Sequence, residues 1–196
     1  VKALSLITRG MLYVLEKGDS IHSVADLAGK TIVAAGQGST PEYVMNYILE
    51  ANGVEADLDF KSEHAEVTTL ALNGLADVVL VPEPHVTTLM TKEPAYRKAL
   101  DITEEFAAAA RKKGVENAQL SMSVVVVRSE FCAAHPEKVA AFMQALEASI
   151  AFANENVAEA AQEIAEQGII ASAAVAEKAL PSCSLVFISG EEMQAQ

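Results

Sequence analysis

The 196-residue sequence contains no tryptophan, and aromatic residues make up only 5% of it. Burial therefore falls to its many alanine and valine side chains within a hydrophobic fraction of 51%, a composition that suits an α/β chain with covered strands. Positive charge is also short: 14 lysines and arginines face 27 aspartates and glutamates, a net charge of −13. That balance argues against nucleic acid and against anionic membrane surfaces as partners. No apolar run reaches the roughly 18 residues of a membrane-spanning helix, so this segment is not expected to insert into a bilayer. The two cysteines, Cys132 and Cys183, lack zinc-site spacing and leave pairing and inert burial both open. There is no Gly-x-Ser-x-Gly elbow, no His-Glu-x-x-His helix and no Gly-Lys-Ser/Thr phosphate loop. No metal and no cofactor is therefore expected. Internal repeats and low-complexity linkers are absent as well.

What is present is organised around Lys30 to Tyr43, KTIVAAGQGSTPEY. Thr31 to Ala35 is a continuous apolar run between Gly29 and Gly36, the pattern of a strand covered on both faces. Gln37-Gly38-Ser39 supplies a sharp turn. Thr40 is expected to cap a helix with Pro41 at its first position, ending near Asn52-Gly53. A strand, a glycine turn and a capped helix leave backbone donors at their junction, where α/β folds bind small polar ligands. The same turn also occurs as a plain tight connection. Gly36-Gln37-Gly38 lacks the third glycine of a dinucleotide fingerprint, and Glu42 in the first helical turn would repel a strong anion.

In chain order, Val1 to Thr8 and Met11 to Leu15 read as strands, and Ser23 caps a short segment ending at Gly29. After the central unit come a strand over Asp57 to Lys61, a helix over 65–73, a strand over Val78 to Val81, and a short helix to Met90. This is βα repeated three times, the pattern of a parallel sheet with right-handed crossovers. Such a sheet gathers its βα turns at one edge, so Gln37 to Thr40, Ser62 to His64 and Glu83 to His85 should converge. Lys92 to Leu100 and Thr103 to Lys113 read as helices, and Met122 to Arg128 as a buried strand. Pro136 opens a long helix with Val139, Phe142, Met143, Leu146, Ile150 and Ala153 on one face. Helices follow over 156–168 and 172–180, and Val186 to Ile188 is extended. Val1 is not an initiator methionine, and Ser189 to Glu192 resembles a capping box with few residues after it. We therefore expect a piece of a longer protein.

The clusters Glu63-His64 and Glu83-Pro84-His85 are the candidates for site chemistry. Together they could hold a metal or a cationic group. Alternatively, His64 and His85 start helices and face solvent, with the glutamates favouring the helix N-termini. Arg9 could offer a charge to a facing lobe or pair on the surface.

Four stretches, in this order, carry a resemblance: DLAGKTI at Asp26 to Ile32, GQGST at Gly36 to Thr40, GLAD at Gly74 to Asp77, and HPE at His135 to Glu137. The chain resembles the solute-binding proteins of ABC importers in the nitrate/sulfonate/taurine and thiamine-pyrimidine-precursor group. The resemblance implies a two-lobe, type II periplasmic-binding-protein clamshell with parallel-rich sheets, its first lobe incomplete. It places 1–16 in lobe I, 17–119 in lobe II, and 120–196 back in lobe I, with hinges near Tyr13 to Lys17 and Leu120 to Val124. It further implies an extracytoplasmic, non-enzymatic monomer that passes a small-molecule solute to permease subunits. Gly38, Ser39, Thr40, Glu83 and Pro84 match the family's ligand-facing turns. Glu63 and His64 join them from the loop argument, and Arg9 lies near the first lobe crossing. Two other functions share the fold. A thiamine-pyrimidine-precursor synthase would need reactive His and Cys residues in its cleft, and a regulator's sensing domain would need a DNA-binding element.

Overall fold

The computed structural model, which describes residues 1–194, divides the chain into two compact units: Val1–Gly10 with Ser121–Gln196, and Met11–Leu120.

The second unit is built on a five-stranded sheet. Its strands are β2 (Leu12–Lys17), β3 (Thr31–Ala35), β4 (Asp57–Lys61), β5 (Val78–Pro82) and β6 (Tyr96–Asp101), in the order β4-β3-β5-β2-β6. β1 (Lys2–Arg9) belongs to the first unit. β3 runs parallel to β4 and β5, whereas β2 is antiparallel to both of its neighbours. The helices are α1 (Thr40–Asn52), α2 (His64–Leu72), α3 (His85–Lys92) and α4 (Ile102–Lys112). Because side chains alternate along a strand, Val33, Ala35, Val79, Val81, Tyr13 and Leu15 share one buried cluster with Val67 and Ala71 of α2 and Val86 and Leu89 of α3. Ile32, Ala34, Val14 and Leu80 are also fully buried. α1 packs on α4, where the Tyr47 and Phe106 rings lie 5.5 Å apart. Burial of both faces explains the uninterrupted apolar runs.

A buried ionic knot ties β2 to β6. The Glu16 carboxylate, only 4% exposed, accepts from Ser20 N at 3.0 Å, Ile21 N at 3.0 Å, the Ser20 hydroxyl and Arg97 Nη2 at 2.9 Å. Arg97 also donates to the Gly18 carbonyl at 3.0 Å and the Ile21 carbonyl at 2.7 Å. Burial alone would raise the Glu16 pKa. The hydrogen bonds from Ser20 and Ile21, with the Arg97 charge, outweigh burial and hold it below its ordinary value.

The first unit has an antiparallel sheet ordered β7-β1-β8, with β7 (Ser121–Val127) and β8 (Leu185–Ser189) flanking β1. Between them lie α5 (Ser129–Ala134), α6 (Pro136–Glu155), α7 (Val157–Glu166) and α8 (Ala173–Ala179), and α9 (Gly190–Gln194) follows β8. Its buried cluster is small: Ala160, Ala161, Ala176 and Leu180. Among the described residues, no helix is long and apolar enough to cross a membrane.

Four expectations need correction. Lys92 to Leu100 is not a helix. α3 stops at Lys92, ahead of Pro94, and Tyr96–Asp101 becomes a strand, with Tyr96 and Leu100 buried and Lys98 exposed between them. The boundary expected after residue 16 falls instead at Gly10–Met11, because β2 is an interior strand of the second unit's sheet. The first segment expected as a hinge, Tyr13 to Lys17, accordingly lies inside strand β2, whereas the second, Leu120 to Val124, contains the chain's passage between units at Leu120–Ser121. Finally, β7 is not fully buried: Val124 and Val126 are 49% and 54% exposed, and α6 has no buried residue.

Candidate functional site

The parallel strands β3, β4 and β5 end at the same edge of the sheet, so the turns after them open on that edge. At the first turn, Gly36 has φ of 90° and Gly38 of 74°. Ser39, not Thr40, is the N-cap of α1; Thr40 is the first helical residue and Pro41 the second. The one-residue shift follows from the Ser39 hydroxyl, which donates back to the Gly36 carbonyl at 2.6 Å and tightens the turn. A Cβ on Gly36 would stand 2.9 Å from Ser39 Oγ and 3.0 Å from Pro41 Cγ. Gly36→Ala should therefore lose about 1–3 kcal/mol from a left-handed backbone and a clash together. The check is a urea unfolding midpoint at unchanged m-value. Gly38, whose added Cβ would meet nothing, should tolerate alanine better.

Each turn is closed by a carboxylate of its own. Glu42 accepts from Gly38 N, Glu66 from Ser62 N at 3.1 Å and the Ser62 hydroxyl at 2.6 Å, and Glu83 from Thr87 N at 3.1 Å. The Ser62 hydrogen bonds lower the Glu66 pKa. At each of these helix starts one backbone donor is thus already matched with negative charge, which works against a strong anion there.

The second and third turns bring His64 and His85 together, with ring centroids 5.7 Å apart and planes tilted by 42°. Each is the first residue of its helix and half-buried. Thr68 Oγ1 donates to the His64 carbonyl at 2.9 Å and lies 3.1 Å from His85 Nδ1. Burial lowers both imidazole pKa values. Each ring's neighbours then adjust it: the His85 charge lowers His64 further, while Glu63 and Glu83 push His85 back up.

Glu63, the residue before α2, is exposed on this edge. Glu83 is placed differently from expectation. It is 1% exposed, and its carboxylate meets Lys98 Nζ at 3.3 Å as well as Thr87 N. Lys98 in turn sits 4.0 Å above the Tyr13 ring. Glu83 thus lies beneath the edge and orients the start of α3. Pro84, half-buried, is the residue before that helix, and the Glu83–Pro84 peptide is cis. Arg9 ends β1 in the first unit, apart from the seven other candidates, all of which lie in the second. Cys132 and Cys183 are half-buried, also in the first unit. Among the described residues, no group of three or more His, Cys, Asp or Glu side chains stands ready to hold a metal ion.

Thr68 and Lys98 were not among the expected residues. Thr68 had one available sign, its position one helical turn after His64. Lys98 had none once 92–100 was read as helix.

The sequence profile of the NMT1/THI5-like family matches residues 4–160. The chain belongs to the NMT1/THI5-like family. No curated protein sequence matches it. Solved structures similar to this NMT1/THI5-like chain include an ABC transporter from Parabacteroides distasonis, with 22% identity and a TM-score of 0.74. The match covers 98% of this chain and 63% of that one. The alkanesulfonate-binding protein SsuA from Xanthomonas axonopodis pv. citri, bound to MOPS, is 17% identical with a TM-score of 0.71, covering 98% and 64%. The periplasmic aliphatic sulphonate binding protein SsuA from Escherichia coli is 15% identical with a TM-score of 0.75, covering 98% and 62%. These likenesses establish the fold: α/β, of the periplasmic-binding-protein type, as the resemblance implied. The chain spans less than two thirds of the length of each of these three structures.

Proposed function

We propose that this NMT1/THI5-like chain is the solute-capturing part of an ABC importer, extracytoplasmic and monomeric, delivering a small molecule to permease subunits. The observation that carries the reading is the sheet edge of the second unit, where three crossover turns gather Ser39, Thr40, Glu63, His64 and Pro84 in a fold shared with ABC-transporter binding proteins. Neither cysteine lies on the three crossover turns, which favours a binding role over covalent catalysis. Glu83 serves by positioning α3.

The closed turns bear on the class of solute. With the negative charges of Glu42, Glu66 and Glu83 each held on one turn donor, a neutral or zwitterionic solute carrying hydrogen-bond donors suits this edge better than a sulfonate or nitrate. Thermal denaturation of the chain with pyrimidines, amines, zwitterions, sulfonates and nitrate tests this. A solute that binds only the folded state adds roughly 2.7 kcal/mol at 100 times its Kd. We expect stabilisation by a neutral or zwitterionic compound, reduced in Thr40→Ala. Sulfonate should stabilise only after Glu42→Ala uncovers the Gly38 N–H. Sulfonate stabilisation of the unaltered chain would overturn the assigned solute class, and no stabilisation by any compound would count against capture by this chain.

A further inference from the structure

The His64–His85 pair supports a step beyond solute capture. Two imidazoles sharing one metal ion, each nitrogen about 2.0–2.1 Å from it, place their ring centroids roughly 5–6 Å apart. The observed separation is 5.7 Å, with the rings tilted and not stacked face to face.

Hydrogen bonding also leaves each ring able to offer a lone pair. The single hydroxyl proton of Thr68 is committed to the His64 carbonyl at 2.9 Å, so at the 3.1 Å contact Thr68 Oγ1 accepts and His85 Nδ1–H donates. The His85 lone pair then lies on Nε2. A hydroxyl or carbonyl on the far nitrogen is the arrangement that orients ligating histidines elsewhere. His64 Nδ1 is buried without a hydrogen-bond partner among the described residues, so no hydrogen bond there fixes which ring nitrogen carries the proton. Glu63, the residue directly before His64, is exposed, and no capping hydrogen bond holds its side chain. Glu83 is committed to Lys98 and Thr87.

We propose that His64 and His85 form a binding site for a borderline divalent transition-metal ion such as Zn²⁺ or Co²⁺, with Glu63 swinging in as a third ligand and water completing the shell. Two nitrogens and one carboxylate select this class over Mg²⁺ and Ca²⁺, which prefer all-oxygen shells. The site requires no solute, so it stands or falls separately from the importer reading.

The experiment is calorimetric titration of the tag-free chain with Zn²⁺, and with Mg²⁺ as contrast, alongside the visible spectrum on adding Co²⁺. His64→Gln and His85→Gln are compared with His22→Gln and His135→Gln, the remaining two of the four histidines. We expect about one Zn²⁺ per chain. Affinity should fall roughly tenfold or more in each of the first pair and hold in the second pair. Paramagnetic shifts of the His64 and His85 imidazole signals on adding Co²⁺ to the unaltered chain identify the ligands even if a variant unfolds. No heat beyond dilution at millimolar Zn²⁺, binding that survives both His64→Gln and His85→Gln, or Co²⁺ shifts confined to His22 and His135 would each overturn the site.

Discussion

Glu16→Ala should lower the stability of the chain by about 3 kcal/mol at neutral pH, the largest effect expected of any single surface-to-core polar change here. Removal of one member of a buried ion pair strands the other, and losses of about 3–5 kcal/mol are typical. The lower end applies because the Arg97 side chain is 31% exposed and keeps bonds to Gly18 and Ile21. Three further donors, Ser20 N, the Ser20 hydroxyl and Ile21 N, would lose their acceptor at the same time. The effect also has a pH signature. Glu16 has a lower pKa folded than its ordinary value of 4.5, so its contribution is complete above that value and disappears as pH falls through the folded one. Urea unfolding of the unaltered chain and the variant should therefore differ most near neutrality and converge in acid. A gap that widens on acidification would show that Glu16 is not the stabilising carboxylate.

Glu83→Ala should cost about 2–3 kcal/mol, for a related reason in a different place. Its carboxylate is buried, holds Lys98 at 3.3 Å and accepts from Thr87 N in the first turn of α3. Lys98 is 34% exposed and can turn to water, which moderates the loss. Glu83→Gln should recover part of it, since an amide oxygen still accepts from Thr87 N. The chemical denaturation midpoint reads the stability. The imidazole signals of His85, two residues on, read whether the start of α3 has shifted. Equal stability of the alanine variant and the parent would mean that Glu83 faces solvent.

Much of the second unit was legible in the sequence because burial on both faces leaves a plain mark. Thr31 to Ala35 between two glycines could hardly be anything but an interior strand, and Pro41 and Pro136 marked the starts of α1 and α6 to within a residue. The failures share one cause, the decision of a local segment by a distant one. YRKALD has a composition compatible with helix. Its strand state comes from pairing with Leu12–Lys17, about eighty residues earlier in the chain. Misreading that segment hid Lys98, and with it the reason Glu83 is buried. The candidate edge was legible as three converging turns, since parallel βα units force that convergence. The partnership of His85 with Thr68, and the sealing of each turn by its own glutamate, depend on side-chain reach and were invisible to spacing alone.

The nested strand order has a consequence during synthesis. β2 is made before the rest of its unit, yet it pairs with β5 and β6, the last two strands of that sheet. While the ribosome adds the intervening residues, at about 5–20 per second, the apolar LYVL of β2 waits without its neighbours. β1 waits longer still, because both its partners, β7 and β8, lie beyond the whole of the second unit. Vectorial folding should therefore complete Met11–Leu120 first, while the strand that precedes it remains an open edge in need of protection from pairing with other chains.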